Sequence, residues 1–124
     1  MPETSPLIAI VDDDLLIRQA LRRLVQAAGY TAETFASAHE FLAALPSRRS
    51  ACLILDIHLD GMDGFELRER LVAELVDIPV IFITAHDDAA TRERIKESGA
   101  AAYLTKPFDR QALLEAIRRV AGEA

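Results

Sequence analysis

The chain contains four short apolar segments that each run into acidic, hydroxyl or ammonium side chains. In chain order, the polar residues that follow these segments are Asp12, Asp13 and Asp14, then Asp56, then Thr84, and finally Thr105 and Lys106. In an open parallel sheet, ligands bind just beyond the carboxyl ends of the strands. If the four segments are strands of such a sheet, their polar ends converge on one place. Carboxylates, a hydroxyl and one ammonium together suit a divalent metal ion and a phosphoryl group.

The aspartates are the most informative part of this pattern. Asp14 is well placed to cap the helix that follows it, which leaves Asp12, Asp13 and Asp56. Three converging carboxylates repel one another unless a cation compensates for their charge. Mg²⁺ prefers a few carboxylates together with waters and phosphate oxygens. We therefore predict a magnesium site at these three residues, although a single such aspartate would indicate no more than a helix cap or a solvated loop.

Lys106 and Thr84 are less informative when each is taken alone. Lys106 precedes Pro107, which is typical of a turn, and its ammonium could pair with Asp56, bind a phosphoryl oxygen or simply face solvent. The hydroxyl of Thr84 could donate to a phosphoryl oxygen, or the residue could serve only strand propensity or a cap. The residue pattern alone leaves these alternatives open.

Apolar segments alternate five times with segments of helical periodicity, which predicts five βα units. The predicted strands are residues 7–11, 30–34, 51–56, 78–84 and 101–104. The predicted helices are residues 14–28, 38–45, 65–75, 88–98 and a last helix capped by Asp109, with a capping box at Ser37 and Glu40 and a loop at 46–49. Strands that are nearly continuously apolar belong to a parallel sheet covered on both faces. Right-handed crossovers then give a three-layer α/β sandwich.

Length and composition limit the class of protein. The 124 residues fit one domain, and we expect a flexible tail at 1–6 and a folded domain at 7–122. A net charge of -6 argues against a nucleic-acid-binding surface, and the single cysteine excludes an internal disulfide. No apolar run approaches the ~20 residues that span a bilayer, and the N-terminus does not have the pattern of a signal peptide. We expect a cytoplasmic protein that contacts neither membrane nor nucleic acid directly.

Taken together, these features resemble a response-regulator receiver domain of the CheY-like kind. The matched pieces are residues 10–14, 53–56, 61–64, 83–85 and 106–108. Each piece is weak by itself, but their order and spacing make the match specific. The resemblance implies a flavodoxin-like, CheY-like fold with strand order 2-1-3-4-5. Residues 83–86 and Tyr103 are similar to receivers of the FixJ type, which precede helix-turn-helix output domains.

The resemblance also implies a phosphoryl acceptor and a metal site. Asp56 matches the aspartate that accepts a phosphoryl group from the phosphohistidine of a sensor histidine kinase. Asp12, Asp13 and the main-chain carbonyl of His58 match the ligands that, together with Asp56, bind Mg²⁺ or Mn²⁺. The implied protein is a signalling phosphoacceptor of a two-component phosphorelay, which catalyses only its own phosphorylation and dephosphorylation.

Further residues match the parts that contact and report the phosphoryl group. Thr84 and Lys106 match the hydroxyl and the ammonium that contact it, and Tyr103 matches an aromatic residue that turns inward when the threonine moves. Pro107 matches a proline that usually follows a cis peptide bond. We name residues 88–121 the switch face. The resemblance implies that this face changes shape and contacts an output domain or a second copy of the chain.

The surroundings of the acceptor contain both family-like and unusual residues. His58, Ala85 and His86 match positions that border the path of water to the phosphoryl group, and they are implied to tune its lifetime; alternatively, the two histidines are simply exposed loop residues. Leu59 and Asp60 stand where the family commonly has Met-Pro. Asp60 removes a rigid turn residue and adds negative charge near the metal site.

Two other functions compete with this interpretation. The first is a small aspartate-nucleophile phosphatase of the haloacid-dehalogenase type, in which Asp12 would be the nucleophile. Leu16 stands where that motif prefers Thr or Val, which disfavours this alternative. The second is an interaction module that keeps the fold without being phosphorylated. All the expected polar residues are present, which disfavours it as well.

Overall fold

Five βα units follow one another in the computed structural model, which describes residues 5–45 and 49–124. Residues 1–4 of the predicted tail and 46–48 of the predicted loop lie outside the described residues. The strands are β1 (Leu7–Val11), β2 (Thr31–Phe35), β3 (Cys52–Asp56), β4 (Val80–Thr84) and β5 (Ala102–Thr105). The helices are α1 (Leu15–Ala27), α2 (Ala38–Ala44), α3 (Gly64–Ala73), α4 (Ala89–Ser98) and α5 (Arg110–Ala121).

The strands form one parallel sheet in the order β2-β1-β3-β4-β5, which confirms the predicted topology. Every residue of β1, β3 and β4 is buried. Successive side chains of a strand point to opposite faces of the sheet. Ile8 and Ile10 accordingly join one hydrophobic core, while Ala9 and Val11 join the other. Both faces are covered by apolar side chains, so these strands show no polar alternation.

All five helices begin at a polar residue that accepts a backbone N–H through its side chain. These N-caps are Asp14, Ser37, Asp63, Asp88 and Asp109. The predicted capping box at the second helix is only half formed, because the carboxylate of Glu40 accepts from Ala36 N and not from Ser37 N. A complete box is present at α3. The caps start each helix soon after a strand ends, which directs helix N-termini toward the carboxyl edge of the sheet.

Most predicted boundaries differ from the structure by one or two residues. The second strand begins at Thr31 because Tyr30 belongs to the preceding turn, where its N–H donates to Val25 O. The fourth strand begins at Val80 because Pro79 precedes it and has no N–H to donate. Within residues 5–45 and 49–124, none of the helices combines the length and the apolar character that crossing a membrane requires.

Candidate functional site

The polar strand ends converge at one edge of the sheet, as the sequence predicts. Asp12 directly follows β1, Asp56 ends β3, Thr84 ends β4 and Lys106 directly follows β5. These four strands are consecutive neighbours in the sheet and all run in the same direction. Their carboxyl ends therefore lie side by side, which is where open α/β sheets bind ligands.

Three carboxylates and one ammonium form the centre of the site. One oxygen from each of Asp12, Asp13 and Asp56 lies within 4.8 Å of the others. Asp12 and Asp56 are buried, with 0% and 4% of their surface exposed, whereas Asp13 is exposed. Nζ of Lys106 lies 3.0 Å from Oδ2 of Asp12 and 3.4 Å from Oδ2 of Asp56. The site is thus closed at its base and open to solvent at Asp13.

The pKa values of Asp56 and Lys106, which are in contact at the base of the site, are both shifted. Burial and, secondarily, the charge of Asp12 raise the pKa of Asp56 to about 6, although the ammonium of Lys106 acts in the opposite direction. Burial alone would lower the pKa of Lys106. Its contacts with Asp12 and the charge of Asp56 outweigh that effect, so the pKa of Lys106 is raised above its ordinary value. The lysine therefore acts as the counter-ion of the buried carboxylates.

The backbone and side chain of Asp12 are held by three hydrogen bonds. Its N–H donates to Phe35 O at 3.2 Å, its carbonyl oxygen accepts from Nη1 of Arg18 at 2.7 Å, and its Oδ1 accepts from Asp14 N at 2.9 Å. Oδ2 is buried and has no hydrogen-bond partner among the described residues. The ammonium of Lys106 is close to Oδ2, but the contact is an ion pair without the angles of a hydrogen bond.

The donor set fits a hard divalent cation. Mg²⁺ and Mn²⁺ prefer carboxylate oxygens, and Asp12, Asp13 and Asp56 supply three of them within a single span of 4.8 Å. Oδ2 of Asp12 is buried and accepts no hydrogen bond from the described residues, and a bound cation would satisfy it. Oδ1 of Asp56 accepts the N–H of His58 at 3.3 Å, which fixes the chain two residues beyond Asp56. His58, the other predicted ligand, is therefore adjacent to the cluster.

The hydroxyl of Thr84 is engaged by its own loop and not by the carboxylates. Its Oγ1 accepts from His86 N at 2.9 Å and lies 3.2 Å from His86 O. The Tyr103 hydroxyl approaches Oδ1 of Asp87 at 3.5 Å, and Arg92 holds Asp87 through its carbonyl at 2.7 Å and its carboxylate at 3.1 Å. The loop after β4 thus connects the predicted hydroxyl to the predicted aromatic switch residue.

The rim of the site is formed by the loops after β3 and β4. The imidazole rings of His58 and His86 meet edge to face, with centroids 4.6 Å apart and planes at 77°. Both histidines and Ala85 are exposed. The ring contact was not predicted, because the two residues are far apart in sequence and only the sheet order makes their loops neighbours. The peptide bond between Lys106 and Pro107 is cis, as the resemblance implied.

Gly64 contributes to the site in a way that sequence reasoning missed. A Cβ atom at this position would lie 2.6 Å from the carbonyl oxygen of Asp56 and 2.8 Å from Cα of Ile57. Only glycine therefore allows the start of α3 to pack directly behind β3. Residues 61–64 are one of the segments that match the family, but nothing in their sequence indicates this close approach to Asp56.

Comparison with known proteins points to one family. A protein-family model described as "Response regulator receiver domain" matches residues 8–118. Nodulation protein W of Bradyrhizobium diazoefficiens is 35% identical over 114 residues, which cover 92% of this chain and 50% of that protein. Transcriptional regulatory protein FixJ of the same species is 34% identical over 102 residues, which cover 82% of this chain and 50% of FixJ. The chain thus spans about half of the length of these two relatives.

Solved structures extend the comparison to the whole fold. A response regulator receiver protein from Burkholderia phymatum matches with a TM-score of 0.84 at 43% identity. The match covers 96% of this chain and 97% of that structure. Both the fold and its extent are therefore similar to those of a separately determined receiver.

Proposed function

The chain belongs to the response regulator receiver domain family, and from this premise we propose that Asp56 accepts a phosphoryl group from the phosphohistidine of a sensor histidine kinase. The observation that supports this most directly is the position of Asp56. Its buried carboxylate ends a central strand, in contact with the ammonium of Lys106 and within 4.8 Å of the oxygens of Asp12 and Asp13. We also propose that this exchange takes place in the cytoplasm.

The transfer replaces one bond to phosphorus with another. A carboxylate oxygen of Asp56 attacks the phosphorus in line, the P–N bond to the donor imidazole breaks, and the imidazole leaves with the electron pair of that bond. The ammonium of Lys106 is positioned to neutralise charge on a phosphoryl oxygen. When bound at Asp12, Asp13, Asp56 and the main-chain carbonyl of His58, Mg²⁺ or Mn²⁺ supplies the remaining charge neutralisation.

Phosphorylation then acts on the loop after β4. An acyl phosphate adds nearly two negative charges and three acceptor oxygens at Asp56. The hydroxyl of Thr84 gains a stronger acceptor than the carbonyl of His86, and it leaves its present contact to donate to the new group. This movement displaces His86 and Asp87, whose carboxylate lies next to the hydroxyl of Tyr103. The switch face, residues 88–121, changes with it and controls an output domain or a second copy of the chain.

The rim residues regulate the lifetime of the phosphoryl group. His58 and His86 contact each other edge to face in the loops that follow Asp56 and Thr84, and Ala85 is exposed next to His86. We therefore propose that these three residues tune hydrolysis. The chain acts as a signalling domain that catalyses only its own phosphorylation and dephosphorylation. We favour Asp56 over Asp12 as the nucleophile because the chain matches the receiver family over residues 8–118 and Leu16 does not fit the phosphatase motif.

Incubation with acetyl phosphate and Mg²⁺ tests the proposal. Intact mass spectrometry should detect the addition of one phosphoryl group to the wild-type protein and none to Asp56→Asn. The matched control is Asp77→Asn, which changes an exposed aspartate that precedes β4, at the opposite edge of the sheet from the site, and should leave phosphorylation intact. A wild-type protein that gains no mass would favour the interaction module instead.

A further inference from the structure

Arg18 makes a contact that the proposed function does not use. It is the fourth residue of α1, and its guanidinium reaches back to the main-chain carbonyl of Asp12, which accepts from Nη1 at 2.7 Å. Arg18 is half-buried, whereas Arg22, one helical turn later, is exposed. The distance is short for an N–H···O bond, as expected when the donor is charged.

The contact satisfies a group that the sheet leaves without a partner. Asp12 lies one residue beyond β1, where the paired register with β2 and β3 has ended. A buried carbonyl oxygen in such a position needs a donor from elsewhere in the protein. Arg18 supplies that donor. Together with the bonds from Asp12 N to Phe35 O and from Asp14 N to Oδ1 of Asp12, it fixes both the backbone and the carboxylate of Asp12.

The contacts of Asp12 leave its two carboxylate oxygens in different surroundings. Oδ1 accepts from Asp14 N, whereas Oδ2 accepts no hydrogen bond from the described residues and lies 3.0 Å from Nζ of Lys106. The peptide plane that contains the Asp12 carbonyl also contains the backbone N–H and Cα of Asp13. A donor on that carbonyl therefore holds the backbone from which the carboxylates of both Asp12 and Asp13 extend.

We propose that Arg18 is a positioning residue for the divalent-cation site, acting through the main chain of Asp12 and touching neither the cation nor the phosphoryl group. This inference rests on the proposed function, since it presupposes a cation at Asp12, Asp13 and Asp56. The inference also predicts the direction in which Mg²⁺ affinity changes when Arg18 is replaced. A nearby guanidinium repels a divalent cation, so its charge alone would weaken cation binding. The positioning role has the opposite effect, and its loss should weaken binding even though a repulsive charge is removed.

Isothermal titration with Mg²⁺ separates the two effects. Arg18→Gln removes the charge and ends the side chain two bonds short of Nη1, so that its amide no longer reaches the carbonyl of Asp12. It should weaken Mg²⁺ binding about tenfold, as loss of groups that orient metal ligands commonly does. Arg18→Lys keeps a charged donor without the planar geometry of the guanidinium. Its affinity for Mg²⁺ should lie between that of the wild type and that of Arg18→Gln. Arg22→Gln removes the same charge from the same helix without a contact to Asp12, and its affinity should match the wild type or exceed it slightly.

Urea denaturation of each variant establishes that it is folded before titration. If Arg18→Gln does not fold, Arg18→Lys carries the test, and an affinity lower than that of the wild type supports the inference while an unchanged affinity overturns it. An Arg18→Gln variant that binds Mg²⁺ as tightly as Arg22→Gln, or more tightly, overturns the positioning role and leaves the proposed function intact. A wild-type protein that binds no Mg²⁺ contradicts both.

Discussion

Nζ of Lys106 lies 3.4 Å from Oδ2 of Asp56, although the two residues belong to strand ends that β4 separates. The side chain of Lys106 therefore extends across the end of β4 and contacts Asp56. In the protein without a cation, the ammonium is the counter-charge of two buried carboxylates. With Asp56 phosphorylated as proposed, the same position would place the ammonium beside the phosphoryl oxygens.

Replacing Lys106 with methionine should destabilise the cation-free protein. Lys106→Met keeps a long side chain but leaves Asp12 and Asp56 without a counter-charge, so the free energy of unfolding near neutral pH should fall by about 1 to 3 kcal/mol. Urea denaturation measures the change, and Mg²⁺ should reduce it. Lys96→Met, at the other, exposed lysine of the chain, is the control. Equal effects of the two substitutions would contradict the role of Lys106 as counter-ion.

Because the pKa of Asp56 is raised, removing its charge should stabilise the folded protein by an amount that depends on pH. Burial first, then the charge of Asp12, raises this pKa from 3.8 to about 6 in the folded protein. The folded state thus holds the proton more tightly than the unfolded state, and the stability that this contributes is present below the lower value and is lost as the pH rises through the higher one. Without a cation, Asp56→Asn should therefore be more stable than the wild type near neutral pH, by on the order of 3 kcal/mol.

Urea denaturation across the acidic range, in the presence of a chelator, tests this sign. The advantage of Asp56→Asn should shrink steadily as the pH falls and should largely disappear near the ordinary pKa of an aspartate. Asp60→Asn, at an exposed aspartate, should show no such trend. A gain that is independent of pH would show that the charge of Asp56 is not its cause.

A methyl group at Gly64 should disturb the acceptor from behind. In Gly64→Ala, the new Cβ would lie 2.6 Å from the carbonyl oxygen of Asp56, so the backbone of β3 or α3 must shift. We expect a loss of about 1 to 3 kcal/mol in unfolding free energy and slower phosphorylation by acetyl phosphate. Gly61→Asn is the control, because Gly61 has open space around it and asparagine tolerates its positive φ. If Gly64→Ala were destabilised but phosphorylated at the normal rate, the prediction that the new Cβ disturbs Asp56 would be contradicted.

If phosphorylation moves the loop after β4, Tyr103 should move and Tyr30, the other tyrosine of the chain, should not. The hydroxyl of Tyr103 lies 3.5 Å from Oδ1 of Asp87, in the loop that Thr84 holds. Tyr30 is buried and donates to Gly122 O at 2.6 Å, away from that loop. In protein labelled with fluorotyrosine, Mg²⁺ and beryllofluoride should shift the fluorine NMR signal of Tyr103 and leave that of Tyr30 in place. An unchanged Tyr103 signal would contradict the proposed coupling.

The sheet and the strand-end residues could be predicted because they depend on local patterns. Continuous apolar segments such as 52–55 identify buried parallel strands, and the residue after each one is fixed at the carboxyl edge by the chain itself. The aspartates that cap helices are equally local signals. The resemblance supplied the strand order and the roles, and the family that it named is confirmed by the match over residues 8–118.

Features that depend on tertiary contacts could not be predicted. In sequence, Arg18 is indistinguishable from Arg22 and Arg23, and only the packing of α1 against β1 brings its guanidinium to the carbonyl of Asp12. The close approach of Gly64 to Asp56 likewise arises from how α3 packs behind β3. The present hydrogen bonds of the Thr84 hydroxyl also follow from the conformation of a loop, which no period in the sequence encodes.

Chemical mapping of the acyl phosphate tests the central claim most directly. After incubation with acetyl phosphate and Mg²⁺, borohydride reduction converts a phosphorylated aspartate to homoserine, which peptide mass spectrometry locates in the sequence. Homoserine is expected at position 56 in the wild-type protein. Homoserine at position 12, or at no aspartate at all, would contradict it.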